Sequence, residues 1–524
     1  MVTLTPTDRR AAPAARRPRR RRPPALLVLL GLLVAATSLL PLGFVVVSSA
    51  ELGAGEAYDF LTRPRMDTLV WNTVRLLVGG VALSVVLGVG SAYLVVRTDL
   101  PRAGLWHAVL CAPLAVPAFV NGYGWVSLTH AVQSYPGAVL VVSLSYYPLV
   151  YLPTVAALRR LDSSVEDVAA SLGTSAVAGF FRVVLPAVSP AVLGGSLLVG
   201  LHLLAEYGAL QLLNYPTLTT GIFEQYQATF NGSAATLLAL VLVVFCLVLL
   251  GLELLARGGR RHARVGSGVS RTATRHRLGR GAPAVTAALT GLALLSLGVP
   301  LASLVRWLLR GSSSSLPQGD LGVALSTTLG LAVAGGLLAT VAALPVAWLA
   351  VRHRSAASTL IERAVYPAHA LPGIVVALAL VTISIRVVPS LYQTLPVLLV
   401  AYLILFLPRA VVGTRATLEL APPVLDDVAT SLGCSRTAAA RRVTLPLVAP
   451  GLAASLALVS LAVSTELTAT LLLAPTGTST LATEFWSRAS AVAYGAAAPY
   501  ALALVLLSVP ATWLLSHLAT GVER

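Results

Sequence analysis

Apolar runs of about twenty residues recur along this chain, each long enough to cross the roughly 30 Å hydrocarbon core of a bilayer as a helix. They lie at about 25–48, 73–96, 105–128, 137–157, 191–213 and 235–256, and again at about 283–309, 328–351, 363–385, 392–408, 451–473 and 497–517. Inside a bilayer every backbone N–H and C=O must be satisfied within the protein, so single apolar runs of this length fold as helices. The spacing predicts an all-α, polytopic membrane protein of about twelve transmembrane helices. Composition agrees, since only 11% of the 524 residues are charged, less than half the ~25% of a soluble domain. An ordinary soluble enzyme is excluded.

The charged residues orient the spans. Thirty-seven basic residues stand against twenty acidic ones, a net charge of +17, and every basic residue is arginine. Eight (Arg9, Arg10, Arg16, Arg17, Arg19, Arg20, Arg21 and Arg22) crowd the tail 1–24, and eight more occupy the stretch from Arg257 to Arg280, which holds no acid. With the remaining loops on that side, thirty of the arginines fall on one face, Arg409 among them. Basic loops stay cytoplasmic, so both termini are expected on the cytoplasmic side of the membrane. The excess charge then marks topology and contact with anionic lipid, not a nucleic-acid partner. Ser48-Ser49-Ala50 has the look of a cleavage site, but the apolar run before it exceeds the about 7–15 residues of a signal-peptide core.

The absent lysine excludes a P-loop nucleotide site and any lysine-based catalysis in this chain. No acid–base pair, nucleophile arrangement or metal-ligand spacing supports an enzyme, and Cys111, Cys246 and Cys434 are scattered through or beside apolar sequence.

The chain is a duplication. Glu166-Asp167-Val168-Ala169-Ala170-Ser171-Leu172-Gly173 returns as Asp426-Asp427-Val428-Ala429-Thr430-Ser431-Leu432-Gly433, displaced by 260 positions. The same displacement takes Leu185-Pro186 onto Leu445-Pro446, Pro148 onto Pro408, Pro190 onto Pro450 and Glu206 onto Glu466. Nearer the start of each half it is about 255, taking Thr73 onto Thr328 and Arg97 onto Arg352. The expected organisation is a basic tail 1–24, a first six-span domain 25–256, a basic cytoplasmic linker 257–282 and a second six-span domain 283–524. Six spans per half is an even number, so the halves enter the membrane with the same orientation and are related by an axis along its normal.

The closest repeat lies in the cytoplasmic loop before the fifth span of each half. Acids at its first turn oppose the positive helix terminus, Val165, Ala169 and Leu172 form one apolar stripe, and Gly173 supplies a left-handed stop. A short helix carrying Arg182, or Arg441 and Arg442, follows and is expected to end at the Leu-Pro pair.

This element resembles the Glu-Ala-Ala signature of binding-protein-dependent ABC importer permeases, with its glycine four residues on and its late Leu-Pro. It departs from the signature at Asp167 and Asp427, which replace the glutamate, and at Val168 and Val428, which replace the first alanine. The resemblance implies the type I ABC importer permease fold in an inner (cytoplasmic) membrane. It also implies that Glu166, Asp167, Ala169, Gly173, Leu185 and Pro186, with Asp426, Asp427, Ala429, Gly433, Leu445 and Pro446, couple the chain to a separate ATPase. Two copies of that ATPase would bind the ATP and Mg, leaving no cofactor in this chain, and an extracytoplasmic binding protein would deliver the solute.

The stretches after the fifth span of each half, Ala205-Glu206-Tyr207-Gly208 to Thr220 and Thr465-Glu466-Leu467-Thr468 to Thr483, look like those of ferric iron permeases. Thiamine, a phosphonate or another small solute is the alternative cargo, and an ion-gradient-driven secondary transporter of two parallel halves is the alternative class. Glu206 and Glu466 each fall about fifteen residues into the fifth span of their half, roughly 22 Å along a helix. An acid inside a span faces a polar path or a partner. Two readings follow: transient contacts to a hard cation, or hydrogen bonding to a neighbouring helix. No firm metal site is expected. His202, Asn72, Asn121, Asn214, Asn231, Tyr146 and Tyr147 fit packing as readily as a path.

Overall fold

A computed structural model describes residues 23–51, 53–161, 171–227, 232–257, 275–310, 318–353 and 355–520. The described residues form helices and connecting turns, with no strand beyond one isolated bridge between Thr98 and His276. Eight helices are long and apolar enough to cross a membrane, and three bent pairs raise the number to eleven if each pair is one span. The twelfth expected span corresponds to the helix Tyr494–Thr520, whose apolar stretch, Tyr494–Pro510, is shorter.

The two halves are built alike. Pro64–Arg97, Pro148–Arg160 and Leu185–Ala205 pack together in the first, as Gln318–Arg352, Leu395–Glu419 and Leu445–Ser464 do in the second. The third span of each half is broken at a proline. Ala103–Ala115 and Ala118–Val126 meet at 88° across Pro117, and Ala356–Ala368 and Gly373–Val387 at 102° across Pro372. Proline removes an N–H and clashes with the preceding turn, so each run becomes two helices. Pro148 accompanies a 44° bend in the fourth span, whereas its counterpart Pro408 lies inside one continuous helix, Leu395–Glu419.

Five span boundaries differ most from the sequence reading. The fifth and eleventh spans begin well before residues 191 and 451, as Val177–Ala205 and Thr437–Ser464. Pro186 and Pro446 therefore do not end a short helix. A single π turn, Phe180–Val184 or Ala440–Thr444, runs straight into the long helix just ahead of the proline. Widening the turn makes room for the ring: Leu185 donates to the Phe180 carbonyl and Leu445 to that of Ala440, each five residues back. At their C-terminal ends the same helices stop at Ala205 and Ser464, so Glu206 and Glu466 sit at breaks rather than within a helix. The tenth span also extends beyond residue 408, to Glu419, which takes Arg409 out of the loop and into the helix.

The first span of each half crosses to the other half. Ala25–Glu51 packs on Ala356–Val365 and Gln318–Arg352. A Cβ on Gly31 would lie 3.1 Å from Leu349 and 3.2 Å from Ile361, and the Ser38 hydroxyl donates to the Ala364 carbonyl at 3.4 Å. Reciprocally, Val299–Arg310 packs on Ala118–Val126. There Gly124 abuts Pro300, and the Ser127 and Ser303 hydroxyls lie 2.6 Å apart. Small residues let these backbones approach closely. His276 donates to the Arg97 carbonyl at 2.8 Å and accepts from Asp99 at 3.1 Å, so the residues leading into the seventh span lie along the end of the second.

Candidate functional site

The repeat element before the fifth span of each half is described along its whole backbone only in the second half. Glu166, Asp167 and Ala169 lie outside the described residues. The helix Pro423–Ser431 starts on Pro423, whose missing N–H costs nothing there. It ends at Gly433 with φ +87°, where Cys434 donates to the Ala429 carbonyl and Gly433 to that of Thr430, both at 3.1 Å. This is the glycine-terminated Schellman arrangement. Gly173 has φ +80°, so the first half turns in the same way.

One face of this helix is held to the bundle. Asp426 accepts a hydrogen bond from the Thr444 hydroxyl and lies 3.6 Å from the largely buried Arg352. Arg352 also donates to the Ala421 carbonyl at 3.0 Å, as its counterpart Arg97 does to that of Leu161 at 3.4 Å. Ala429 is buried beneath the helix. The opposite face is open and apolar: Val424, Val428 and Leu432, spaced i, i+4 and i+8, are all exposed, Leu432 at 81%. Leu172 at 79% is its first-half equivalent. The open stripe is thus rotated from the expected one, because Ala429 faces inward and Val428 outward. Asp427 and Leu445 are exposed as well.

The second constellation sits where the fifth and eleventh spans break. Beyond Glu206 the chain turns into the short helix Gly208–Leu212, and beyond Glu466 into Thr468–Leu473. Each carboxylate caps the short helix that follows it. Glu206 Oε1 accepts from the Ala209 N–H at 2.8 Å, and its Oε2 from the Tyr146 hydroxyl. Glu466 Oε1 accepts from the Ala469 N–H at 2.8 Å, and its Oε2 from the Thr470 N–H at 3.0 Å and the Thr470 hydroxyl at 2.8 Å. A carboxylate at a helix N-terminus satisfies orphan donors and meets the positive end of the helix dipole.

A matching pair of threonines holds the next helices. Thr73 donates to the Leu69 carbonyl at 2.7 Å and accepts from the Leu218 N–H at 3.0 Å. Thr328 donates to the Ala324 carbonyl at 2.7 Å and accepts from the Leu481 N–H at 2.8 Å. The sequence offered these threonines only as markers of the repeat; their recurrence at one position of both second spans was the available signal. Thr73→Val and Thr328→Val should each lower stability by about 1–3 kcal/mol, the cost of an unpaired buried donor, read as a drop in the melting temperature of the purified protein.

Between the two breaks the halves interlock through aromatic rings. Tyr207 meets Trp486 at 5.2 Å, Phe119 meets Phe485 at 5.4 Å, and the Tyr123 hydroxyl donates to the Tyr494 carbonyl at 2.7 Å. Trp486 rides on Leu481–Ser490, a helix braced by the Arg488–Glu484 ion pair. Burial of Glu484 opposes ionisation, but hydrogen bonds from Ser479 and Arg488 outweigh it and hold the carboxyl below its ordinary range.

Among the polar side chains left open by the sequence, Asn214 is exposed and others pack. Asn72 donates to the Pro216 carbonyl at 2.9 Å, Asn121 to Ser145 Oγ at 2.7 Å, and His202 Nδ1 lies 2.8 Å from the Leu198 carbonyl. Asn231 lies outside the described residues. Among the described residues no group of three or more His, Cys, Asp or Glu could hold a metal ion.

Known proteins share this construction. The chain is 39% identical over 492 residues to the Fe(3+)-transport system permease protein FbpB 2 of Haemophilus influenzae, which covers 93% of this chain and 97% of the relative. It is 28% identical over 240 residues to the sulfate transport system permease protein CysW of Escherichia coli, covering 41% of this chain and 82% of that one. With the molybdenum transport system permease protein ModB of Escherichia coli it shares 29% over 207 residues, 35% of this chain and 90% of the other. The family model described as binding-protein-dependent transport system inner membrane component matches twice, at residues 84–258 and 339–524. With two such matches laid over two like-built bundles of helices, the chain belongs to this family and is a multi-pass inner-membrane permease of the ABC importer class.

Proposed function

We propose that this chain is the membrane path of an ATP-driven importer of ferric iron. The observation that carries the reading is the match to an Fe(3+)-transport permease over 93% of the chain, through both halves, where the sulfate and molybdenum permeases match 41% and 35%. In this reading residues 25–256 and 283–524 are the two lobes, joined by the linker 257–282 and preceded by the basic tail 1–24. Both termini and the repeat elements face the cytoplasm. Each element docks one copy of a separate ATPase, with Asp426 anchoring the second docking helix and the Val424, Val428 and Leu432 stripe seated in the partner. Gly173 and Gly433 turn the chain back toward Leu185-Pro186 and Leu445-Pro446, so that movement of the docked helix passes through the π turn into the fifth and eleventh spans.

The chain contributes no nucleotide chemistry of its own; without lysine it has no P-loop to hold ATP and Mg, which the two ATPases bind. A binding protein on the outer face releases iron between the lobes. Glu206 and Glu466 shape the re-entrant turns there and are assigned to capping. Proteoliposomes carrying this chain with its ATPase, supplied outside with the iron-loaded binding protein, should take up radioiron only when ATP is available to the ATPase. Uptake driven by a proton gradient without ATP would overturn the importer mechanism, and ATP-dependent uptake of another solute with no iron entry would overturn the cargo.

A further inference from the structure

The third span of each half opens with a helix on which the first span of the other half rests, but the two junctions are not alike. Aligning Pro41 with Pro300 sets Gly31 opposite Thr290, and the displacement of about 255 takes Trp106 onto Ile361. At one junction a Cβ on Gly31 would lie 3.2 Å from Ile361, so Ala25–Glu51 and Ala356–Val365 are in contact. At the other, Thr290 and Trp106 both line a cavity of about 340 Å³.

This cavity runs between Ala103–Cys111, which contributes Leu105 and Val109, and the seventh span, Gly279–Arg310. On the seventh span Thr290, Leu294, Leu297 and Leu301 face it, spaced four, three and four along one side of the helix. A π turn, Leu294–Gly298, widens that helix ahead of Pro300, and Gly298 has no side chain to fill the gap. In the first span Pro41 lies inside a continuous α-helix instead. The one hydroxyl of the lining, that of Thr290, donates to the Thr286 carbonyl at 2.8 Å. A cavity with so few polar partners does not hold ordered water. From Thr290 to Leu301 it extends about 16 Å, close to half of the roughly 30 Å hydrocarbon core. That is the depth of one leaflet and the reach of one acyl chain. Leu105 and Leu294 at the rim are more than half exposed, so the cavity opens to the outside of the bundle.

One end of the groove is basic. Leu105 and Trp106 donate to the Arg102 carbonyl at 2.9 and 3.2 Å, which places Arg102 at the mouth. The bridge between Thr98 and His276 lays residues 97–102 beside 275–280 and gathers Arg275, Arg277 and Arg280 toward the same end. These three and Arg102 are exposed, and none takes part in an ion pair among the described residues. The one acid of the two segments, Asp99, accepts from the Leu278 N–H at 2.8 Å.

We propose that this groove holds one acyl chain of an anionic phospholipid whose phosphate pairs with Arg102, while Arg277 and Arg280 add positive charge beside it. The arginine fork fits the paired oxygens of a phosphate, and basic clusters beside membrane-spanning helices attract anionic headgroups. An apolar slot one leaflet deep with a basic mouth matches such a lipid; a free phosphate leaves the slot empty, and an apolar helix leaves the arginines without a counter-charge. The lipid thus closes the junction that Gly31 closes in the other half.

Native mass spectrometry of the purified full-length protein, delipidated and then titrated with phosphatidylglycerol or with phosphatidylcholine of the same chains, tests this. One phosphatidylglycerol should be held at least about tenfold more tightly than phosphatidylcholine, and Arg102→Gln with Arg280→Gln should erase that preference. Ala293→Phe, and Thr290→Phe from the exposed rim, should fill the slot and remove tight binding while the melting temperature of the lipid-free protein holds. Equal retention of the two lipids, or tight retention by the groove-filled variants, overturns the proposal. Displacement of the lipid by inorganic phosphate, which assigns the arginines to a free anion, or a lipid-free dimer, which seats a second copy of this chain there, overturns it as well.

Discussion

Replacing Val428 and Leu432 together by glutamate should reduce ATP-driven uptake at least about a hundredfold while leaving the membrane bundle intact. Both side chains project from the open face of the Pro423–Ser431 element, where Leu432 is 81% exposed. The protein alone therefore loses little when they become charged. In the docking proposed above the same positions fill a partner groove, where a truncated or charged anchor costs about 2 kcal/mol or more. Co-purification of the ATPase with the variant should fail in parallel, and the melting temperature should stay within a degree or two of the parent. A double variant that retains ATPase and transport would show that docking uses another face. Ala429→Leu supplies the contrast: this residue points into the bundle, so the variant should be destabilised by about 1–3 kcal/mol through overpacking, and its docking face should remain intact.

Glu466→Ala should be among the most destabilising single changes in the membrane region. It strips the Ala469 N–H and the Thr470 N–H of their acceptor at once, while the Thr470 hydroxyl keeps the Glu466 carbonyl and the Tyr402 hydroxyl. Each buried donor left unpaired costs about 1–3 kcal/mol, so the Thr468–Leu473 turn should lose its position beside Gly373–Val387 and the melting temperature should fall by several degrees. The glutamine variants discriminate more finely. At Glu206 the second oxygen accepts only a tyrosine hydroxyl, which can reverse and accept from an amide, so Glu206→Gln should be nearly neutral. At Glu466 the second oxygen faces a backbone N–H, which cannot reverse, so Glu466→Gln should be clearly less stable. Direct cargo contacts would produce a different pattern, with both glutamines impairing uptake equally at unchanged stability.

Much of this was legible in the order of residues. The spans and the duplication follow from apolar length and repeated motifs, both local properties. The repeat element was legible for the same reason: Gly173 and Gly433 adopt the positive φ that only the local chain demands. The ends of the spans were not. The Leu-Pro pairs read as stops because proline breaks helices, but a π turn placed immediately before each one lets the helix continue. Arg409 was counted with a loop since an arginine normally marks the membrane boundary, and only the continuation of the helix to Glu419 moved it inward.

The sequence by itself determined that this chain is a two-fold duplicated membrane protein with its arginines gathered mostly on one face, because bilayer thickness and lipid charge act on each segment separately. Tertiary structure decided what the polar side chains do. Glu206 meets a tyrosine 60 positions away, Thr73 a backbone N–H 145 positions away, and the first span of each half rests on the opposite half. Hydrogen bonds and packing at such separations depend on how whole helices come together, and no local pattern records them. That is why Glu206 and Glu466, for which the order of residues left a cation contact and a hydrogen bond to a neighbouring helix both open, are engaged as helix caps, while an arginine that read as a loop residue lies inside a helix.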